Sequence, residues 1–409
     1  MMFSIYKGFA KLFSGLAGLV TRGQGKLSKR NCGLKNQTVP ALGNSLWVHC
    51  ASLGEFEQGK RVIDALRMRY PNKKLVLTFY SSSGYEKKKD YKLVDHVLYL
   101  PYDTPQAMVA FVAALNPELV VFIKYEFWFT LLDVLHKRDV PFVFVSSVFR
   151  SDQYLFRRVF RPLLNKILNA RYIFVQNISS KTLLSKHGYQ NVTVAGDTRV
   201  DRVIEVKESE FTWSSLEQWR KESVCVIAGS TWSEDEKLLV QAMSVFPGWK
   251  WIIAPHEIDR PHIKELEVLL GEESVFLSSC GMDAEIPSEK SVLVIDQIGL
   301  LSVLYRYGDI AYVGGGLGAG IHNTLEPTVY GLPVVFGSNY QKFQEAVDFC
   351  NLKAARVVTT TSELVEALKF FEEKEHRIEI REILENYFRK HEGATDKILS
   401  SLEKIIAVE

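Results

Sequence analysis

Short apolar runs separated by segments of helical periodicity constrain this chain more than any other feature. The first series reads "LWVH" (46–49), "LVLTFY" (75–80), "HVLYL" (96–100), "LVVFIK" (119–124), "FVFVSS" (142–147), "YIFVQN" (172–177) and "VTVAG" (192–196). A second reads "VCVIAGS" (224–230), "WKWIIAP" (249–255), "SVFLSS" (274–279), "SVLVID" (291–296), "IAYVGGG" (310–316) and "PVVFG" (333–337). Runs that are apolar throughout belong to strands covered on both faces, and the helices between them are the crossovers that parallel neighbours require. The charged stretch from Asp201 to Glu222 has no strand character and separates the two series. The expected class is therefore α/β, with two tandem doubly wound, Rossmann-like domains at 36–205 and 223–409 and a linker over 206–222. The tail from Ser362 is helical and rich in Glu and Lys; its last helices are candidates to pack back on the first domain. Ligands of such sheets bind at the carboxyl ends of the strands, and in a two-domain chain those ends can face each other across a cleft.

Composition narrows the class. The 409 residues are 47% hydrophobic and 24% charged, with a net charge of +2. No strongly basic domain stands out, so a nucleic-acid partner is not expected. Cys32, Cys50, Cys225, Cys280 and Cys350 are scattered, odd in number and free of C-x-x-C spacing. They read as reduced, buried thiols of a cytosolic compartment rather than disulfides or a zinc site.

Residues 1–35 differ from the rest. Phe3, Tyr6, Phe9, Phe13, Leu16 and Val20 recur at steps of three and four, Lys7 and Lys11 interrupt them, and Arg22, Lys26, Lys29, Arg30 and Lys35 follow. No acid precedes Glu55. The apolar run is too short for a comfortable transmembrane span. A basic amphipathic helix lying in an anionic membrane surface fits better than a cleaved signal peptide, because no A-x-A-like site follows a clean apolar core. The plainer alternative is a helix packed on its own domain.

Two stretches carry chemistry. In "YVGGGLGAGIHNTLEPTVYGLPVVFG", Tyr312 to Gly337, a strand ends in three glycines and "HNTLEP" opens a helix with Asn323 or Thr324 as N-cap. Amides at a helix start form an anion site, and Glu326 in the first turn either serves the dipole or hydrogen-bonds sugar hydroxyls. The spacing is not G-x-G-x-x-G, so a dinucleotide fingerprint is not supported; a structural glycine turn is the competing reading. In "ASLGEF" (51–56), Glu55 sits where a strand hands over to a helix. Taken alone, that position suits the helix dipole and acid–base catalysis equally.

In order, "WVHCASLGEF" (47–56), "YLPYD" (99–103), "EFW" (126–128), "GDTRVD" (196–201), "GSTWSEDE" (229–236), "HNTLEP" (322–327) and "KFQEA" (342–346) resemble GT-B glycosyltransferases over nearly the whole chain. More narrowly, they resemble the 3-deoxy-D-manno-octulosonic acid (Kdo) transferases of lipopolysaccharide synthesis. The resemblance implies inverting transfer of Kdo from CMP-Kdo to the lipid A precursor, at the cytoplasmic face of a Gram-negative inner membrane, with no metal and no cofactor. It makes Glu55 the base that deprotonates the acceptor hydroxyl, with Gly54 allowing close approach. It gives Arg199, where the family usually has Lys, a charge for the departing phosphate or the Kdo carboxylate; a solvated surface Arg is the alternative.

The same resemblance places Lys124 of "KYEFW" where the family carries the first acid of a Glu-x-Glu-x-Trp motif, and keeps Glu126 as the second. Either Lys124 does a different electrostatic job, Glu126 takes over, or the role is dispensable. A lone Lys at a buried strand end is costly, so Lys124 is expected to face an anion such as Glu126. The implied CMP pocket takes Pro255, His256, Ile298, Gly299, Leu300, Asn323, Thr324, Leu325 and Glu326. His256 stands where many members have Arg, and Leu300 where others carry Glu. Phe127 and Trp128 are expected in the core and His262 and His322 in structural roles, while Ser81 to Ser83 read as helix caps or as acceptor-facing hydroxyls. Two rival functions remain: a GT-B enzyme using a UDP-sugar, and a two-lobed solute-binding protein. The second would need a cleavable export signal and gives Glu55 and the glycine loop no shared role.

Overall fold

A computed structural model describes residues 2–18 and 25–406. The chain forms two compact units, Met1–Arg202 with His391–Glu409, and Val203–Lys390. The sheet of unit 1 contains β1 (Ser45–Cys50), β2 (Lys74–Phe79), β3 (His96–Tyr99), β4 (Pro117–Ile123), β5 (Phe142–Ser147), β6 (Tyr172–Val175) and β7 (Val192–Val194). All pairings are parallel, in the order β3-β2-β1-β4-β5-β6-β7. Unit 2 contains β8 (Cys225–Thr231), β9 (Lys250–Pro255), β10 (Ser274–Phe276), β11 (Val292–Val294), β12 (Ile310–Val313), β13 (Val334–Phe336) and β14 (Ala355–Val357). Its parallel order is β10-β11-β9-β8-β12-β13-β14.

The continuous apolar runs follow from burial of both sheet faces. Trp47, Val120, Phe122 and Phe144 join one core of unit 1, and their neighbours Val48, Val121 and Val143 join the other. Only β14 had no counterpart among the apolar runs. It is a three-residue edge strand in which Arg356 and Val357 are exposed, so it carries no apolar signal.

Three expectations change here. Residues 206–222 are not a solvated linker. They are helical over Thr198–Glu208 and Ser214–Arg220, and the second helix is fixed in unit 2. There Trp219 is buried, the Trp213 N–H donates to Tyr307 Oη at 2.7 Å, and Arg220 pairs with Asp309 at 2.8 Å. The small net charge also hides a segregation. Unit 1 carries 32 Lys and Arg against 18 Asp and Glu, a net of +14, whereas unit 2 carries 18 against 30, a net of −12. A strongly basic unit does exist, concealed by its acidic neighbour in the sequence total. Among the cysteines, Cys50 and Cys225 are buried, but Cys32 is exposed and Cys280 and Cys350 are half-buried.

The N-terminal helix, Met2–Gly18, is divided between the two readings of residues 1–35. Met2, Phe3 and Tyr6 pack against the unit 1 core, and Tyr6 Oη donates to Asp103 at 2.7 Å. Ile5, Phe9, Leu12, Phe13 and Leu16 are exposed. The apolar stripe of the sequence is thus two stripes, one docked and one outward; Val20 and Arg22 lie outside the described residues. At the other end, the helix Ala394–Ile406 belongs to unit 1, where Ile398 and Leu402 pack with Phe56, Val62 and Ile63. Asp201 fixes its start by accepting the N–H groups of Gly393 and Thr395 at 2.7 and 2.6 Å.

Candidate functional site

The central switch point lies between β1 and β4 in unit 1 and between β8 and β12 in unit 2, where β11 is also inserted between β9 and β10. Loops leaving adjacent strands in opposite directions open a crevice there, at the carboxyl ends. Glu55 follows β1, and Lys124 and Glu126 follow β4.

Glu55 lies in the first turn of the helix Leu53–Arg69, whose N-cap is Ser52. The Ser52 hydroxyl donates to the Glu55 carboxylate instead of capping the backbone. Phe56, fully buried between Phe79 and Tyr91, anchors the turn, so Glu55 is only half-buried. A Cβ on Gly54 would meet nothing nearer than Ser52 Oγ at 3.8 Å, so packing within the unit does not demand glycine there.

Lys124 has a left-handed backbone, φ +63°, as does Ser146 at the end of neighbouring β5, φ +56°. Each such non-glycine residue costs roughly 1 kcal/mol or more, and strain of this kind concentrates where a side chain must be aimed. The ladder still closes around Lys124: its N–H donates to Val145 O at 2.8 Å, and its carbonyl accepts Ser147 Oγ at 2.6 Å.

Among the described residues Lys124 forms no ion pair with Glu126; its charge acts instead on Asp197, from beyond ion-pair distance. Burial pushes the Asp197 carboxyl up. The charge and hydrogen bonds of Arg199, with the charge of Lys124, outweigh it and hold the group below the usual carboxylate range. Arg199 grips Asp197 through Nε at 3.0 Å and Nη2 at 2.7 Å, and Gln58 also donates to it. Arg199 is therefore not a solvated surface residue. Arg199 and Lys124 with the ionised Asp197 sum to a charge of +1. Thr198, bonded to Gln58 O and lying 2.9 Å from Ser146 Oγ, ties this group to the helix after β1 and to the β5 end.

Glu126 has another neighbour, His49, whose Nε2 is 3.8 Å away. That nitrogen accepts the Trp128 indole N–H at 3.0 Å, and Nδ1 lies 2.8 Å from Thr78 Oγ1. The network assigns the proton to Nδ1, so the buried ring is neutral and forms no ion pair with Glu126. Phe127 packs against the core as expected. Trp128 does so too, equally half-buried, and its ring also lies tilted against Tyr80 with centroids 4.5 Å apart. Ser81 caps the helix Ser82–Lys88 through the Ser83 N–H.

Tyr125, 40% exposed, escaped the sequence reading. Burial raises its hydroxyl pKa, Arg150 and Arg199 oppose, and Glu55 and Asp197 add to the rise. Glu55 and Arg199 thus act on one hydroxyl. Glu55 and Glu126 likewise both push up the Cys50 thiol, after burial itself. Unit 1 therefore gathers Glu55, Lys124, Glu126 and Arg199 at one edge of its sheet.

In unit 2 the glycine loop is a packing device before it is anything else. A Cβ on Gly314 would fall 2.3 Å from Ser230 O, and Gly315 has φ +89°. The loop is held by buried Asp235, which accepts the N–H groups of Gly315 and Trp232 at 2.9 Å each and Tyr312 Oη at 2.7 Å. The helix after it is only Leu325–Thr328, too short for a strong dipole. Thr324 and Leu325 are buried, so their side chains face the protein. Asn323 caps the turn, accepting the Leu325 N–H at 3.1 Å and donating to Glu326 Oε1 at 3.0 Å. The expected anion site thus reduces to local amides beside the side chains of Asn323 and Glu326.

Along the same edge, His256 follows buried Pro255 at the end of β9, and its N–H donates to Thr231 O at 2.9 Å. Its ring stacks on Trp232 and His322, with centroids 4.8 and 4.2 Å apart. His322 accepts the Trp232 indole N–H at 3.1 Å, and burial with the nearby His256 holds its pKa down to about 4. His322 is half-buried between Trp232 and His256, contacts in keeping with the structural role expected of it. His262 also has a structural partner, Glu236, at 3.0 Å. Ile298, 77% exposed, and Gly299, φ +100°, form the loop after β11, and the Leu300 carbonyl accepts Val303 and Leu304 N–H. Trp232, Asp235 and Asp197 stood within quoted motifs without any assigned chemistry.

The family model of 3-deoxy-D-manno-octulosonic-acid transferase (kdotransferase) matches residues 24–202. A transferase of that name from Aquifex aeolicus is 25% identical over 354 residues, 82% of this chain and 90% of that one. A bifunctional glycosyltransferase/methyltransferase from Fusobacterium nucleatum is 23% identical over 81% of this chain, and the chain spans about half, 53%, of that relative. The solved UDP-GlcNAc 2-epimerase from Neisseria meningitidis, bound to UDP-GlcNAc, shares the fold, with a TM-score of 0.62 at 15% identity over 88% of this chain and 100% of that one. Over most of its length the chain is thus similar to the 3-deoxy-D-manno-octulosonic acid transferases, and its two parallel α/β units have the GT-B fold of glycosyltransferases.

Proposed function

We propose that the protein transfers Kdo from CMP-Kdo to a lipid A precursor with inversion, unit 1 holding the acceptor and unit 2 the donor. The observation that carries this reading is the half-buried Glu55 carboxylate at the β1–β4 switch point, hydrogen-bonded by Ser52 and grouped with Arg199 and Lys124. An acceptor hydroxyl is a poor nucleophile until a placed base takes its proton as the new bond forms. The acceptor oxygen bonds to the anomeric carbon of Kdo, the bond from that carbon to the phosphate oxygen breaks, CMP departs, and the proton passes to Glu55. Ser52 occupies Oε2, leaving Oε1 to receive that proton. The net positive charge on the Arg199–Asp197–Lys124 group offers a counter-charge for the Kdo carboxylate.

On unit 2, Asn323 and Glu326 are suited to sugar hydroxyls, and His256 with the loop amides to the donor's single phosphate, which needs no metal. The exposed stripe Ile5, Phe9, Leu12 and Leu16 on a unit of charge +14 supports peripheral attachment to an anionic membrane surface. Among the described residues no helix is long and apolar enough to cross a membrane.

The test uses the full chain, CMP-Kdo generated in place, a lipid A precursor and mass spectrometry of the lipid. The expected product is heavier by one or more Kdo units. No mass gain, or a gain only with a UDP-sugar donor, would contradict the assignment.

A further inference from the structure

Between Asp152 and Asp197 the sequence has no acid and seven Lys or Arg. The first of these lie in the segment that follows β5, formed by the short turns Tyr154–Phe156 and Arg158–Phe160 and then the helix Arg161–Ile167. We propose that residues 154–161 are a second membrane-facing element, whose arginines bind the phosphates of anionic lipid headgroups beside the N-terminal helix. The proposal rests on the reading that unit 1 lies on a membrane.

Tyr154 and Val159 are 48% and 53% exposed, and Arg157, Arg158 and Arg161 are exposed beside them. Apolar tips flanked by cations are the composition of an interfacial element. The display is held in place, because Leu155 is buried in the unit 1 core and Phe156 stacks edge-on against Phe149. The segment is continuous with the N-terminal helix. The helix Arg161–Ile167 packs against Met2–Gly18, Lys166 Nζ lies 4.9 Å above the Phe3 ring, and Tyr154 reaches Tyr6 electrostatically. Guanidinium groups grip phosphate in a fork and keep their charge at an interface. Within the run no acid stands beside the arginines, and Asp152, the last acid before it, pairs with Arg150; the nearby Asp133 pairs with Lys166 and Lys7, and Arg161 spends one N–H on the His187 carbonyl at 3.0 Å, so Arg157 and Arg158 carry most of the proposed contact.

The experiment measures cosedimentation of the full chain with phosphatidylethanolamine–phosphatidylglycerol vesicles and with phosphatidylcholine vesicles. It also measures turnover of acceptor dispersed in detergent. Each cation near an anionic leaflet is worth roughly a fivefold gain in partition, so Arg157→Glu with Arg158→Glu is expected to weaken binding to the anionic vesicles at least tenfold. Detergent-phase turnover should be unchanged, and Arg157→Lys with Arg158→Lys should restore most of the binding. Equal vesicle binding by the reversed and native chains overturns the proposal. So does a raised KM for dispersed acceptor with vesicle binding retained, which assigns the arginines to the acceptor instead. A native chain that ignores anionic vesicles overturns the membrane reading beneath it.

Discussion

The two units share a seven-stranded parallel sheet and a switch point at its centre, yet they build their sites by different means. Both units have a left-handed non-glycine residue near a central strand end, Lys124 and Ser146 in unit 1 and Ser230 in unit 2, but unit 1, at +14, gathers charged side chains there. Unit 2, at −12, relies on glycines packed against backbone and on buried Asp235 to hold them. The contrast fits the two tasks proposed for the units. Moving a proton and countering a charge need side chains with defined pKa and aim, whereas holding a nucleotide needs a surface that backbone can approach closely.

The largest expected effect is on the unit 1 side. Glu55→Ala should lower kcat by about 10²–10⁴-fold, the usual worth of a placed general base, in steady-state assays of Kdo transfer. Retained turnover would remove the base from unit 1. Arg199→Met should cost about 10²-fold in kcat by taking one positive charge from the site; an effect confined to thermal stability would reduce Arg199 to a structural partner of Asp197.

On the unit 2 side, Gly314→Ala forces a Cβ into the Ser230 carbonyl. Overpacking of this kind costs about 1–3 kcal/mol, which calorimetry should read as a lower Tm for the unit 2 transition, by several degrees. A neutral outcome would show that the loop is free to shift.

The smallest effect concerns His322. Its pKa is held near 4 by burial and by His256, while an unfolded histidine titrates near 6.5. The unfolded chain therefore takes up the proton first. The stability tied to this group is full above about pH 6.5 and is lost as pH falls toward 4. His322→Gln should flatten the decline of Tm between pH 7 and pH 5; an unaltered decline would place its source elsewhere.

Strand order and burial were legible in the chain because both faces of each sheet are covered, and unbroken apolar runs such as "FVFVSS" have no other comfortable home. The position of Glu55 was legible for the same reason, as the first acid after the first strand. The partner of Lys124 was not, because Asp197 lies 73 residues further on and reaches the β4 end only through the fold. The exposed apolar stripe of the N-terminal helix was half legible: helical spacing groups Phe3 and Tyr6 with Phe9, and only packing shows that the first two turn inward. The charge of unit 1 was hidden by arithmetic, since a total cannot report a segregation. The partners of His322 were not legible, because nothing in its local sequence places it against His256 and Trp232.

The division of labour between the units is tested most directly by calorimetric titration of CMP into the native protein, Glu55→Ala and Asn323→Ala. The account predicts that Glu55→Ala binds CMP within about twofold of the native protein, while Asn323→Ala, which loses the cap of its turn and the partner of Glu326, binds about tenfold more weakly. Loss of CMP binding in Glu55→Ala, with native affinity in Asn323→Ala, would contradict it.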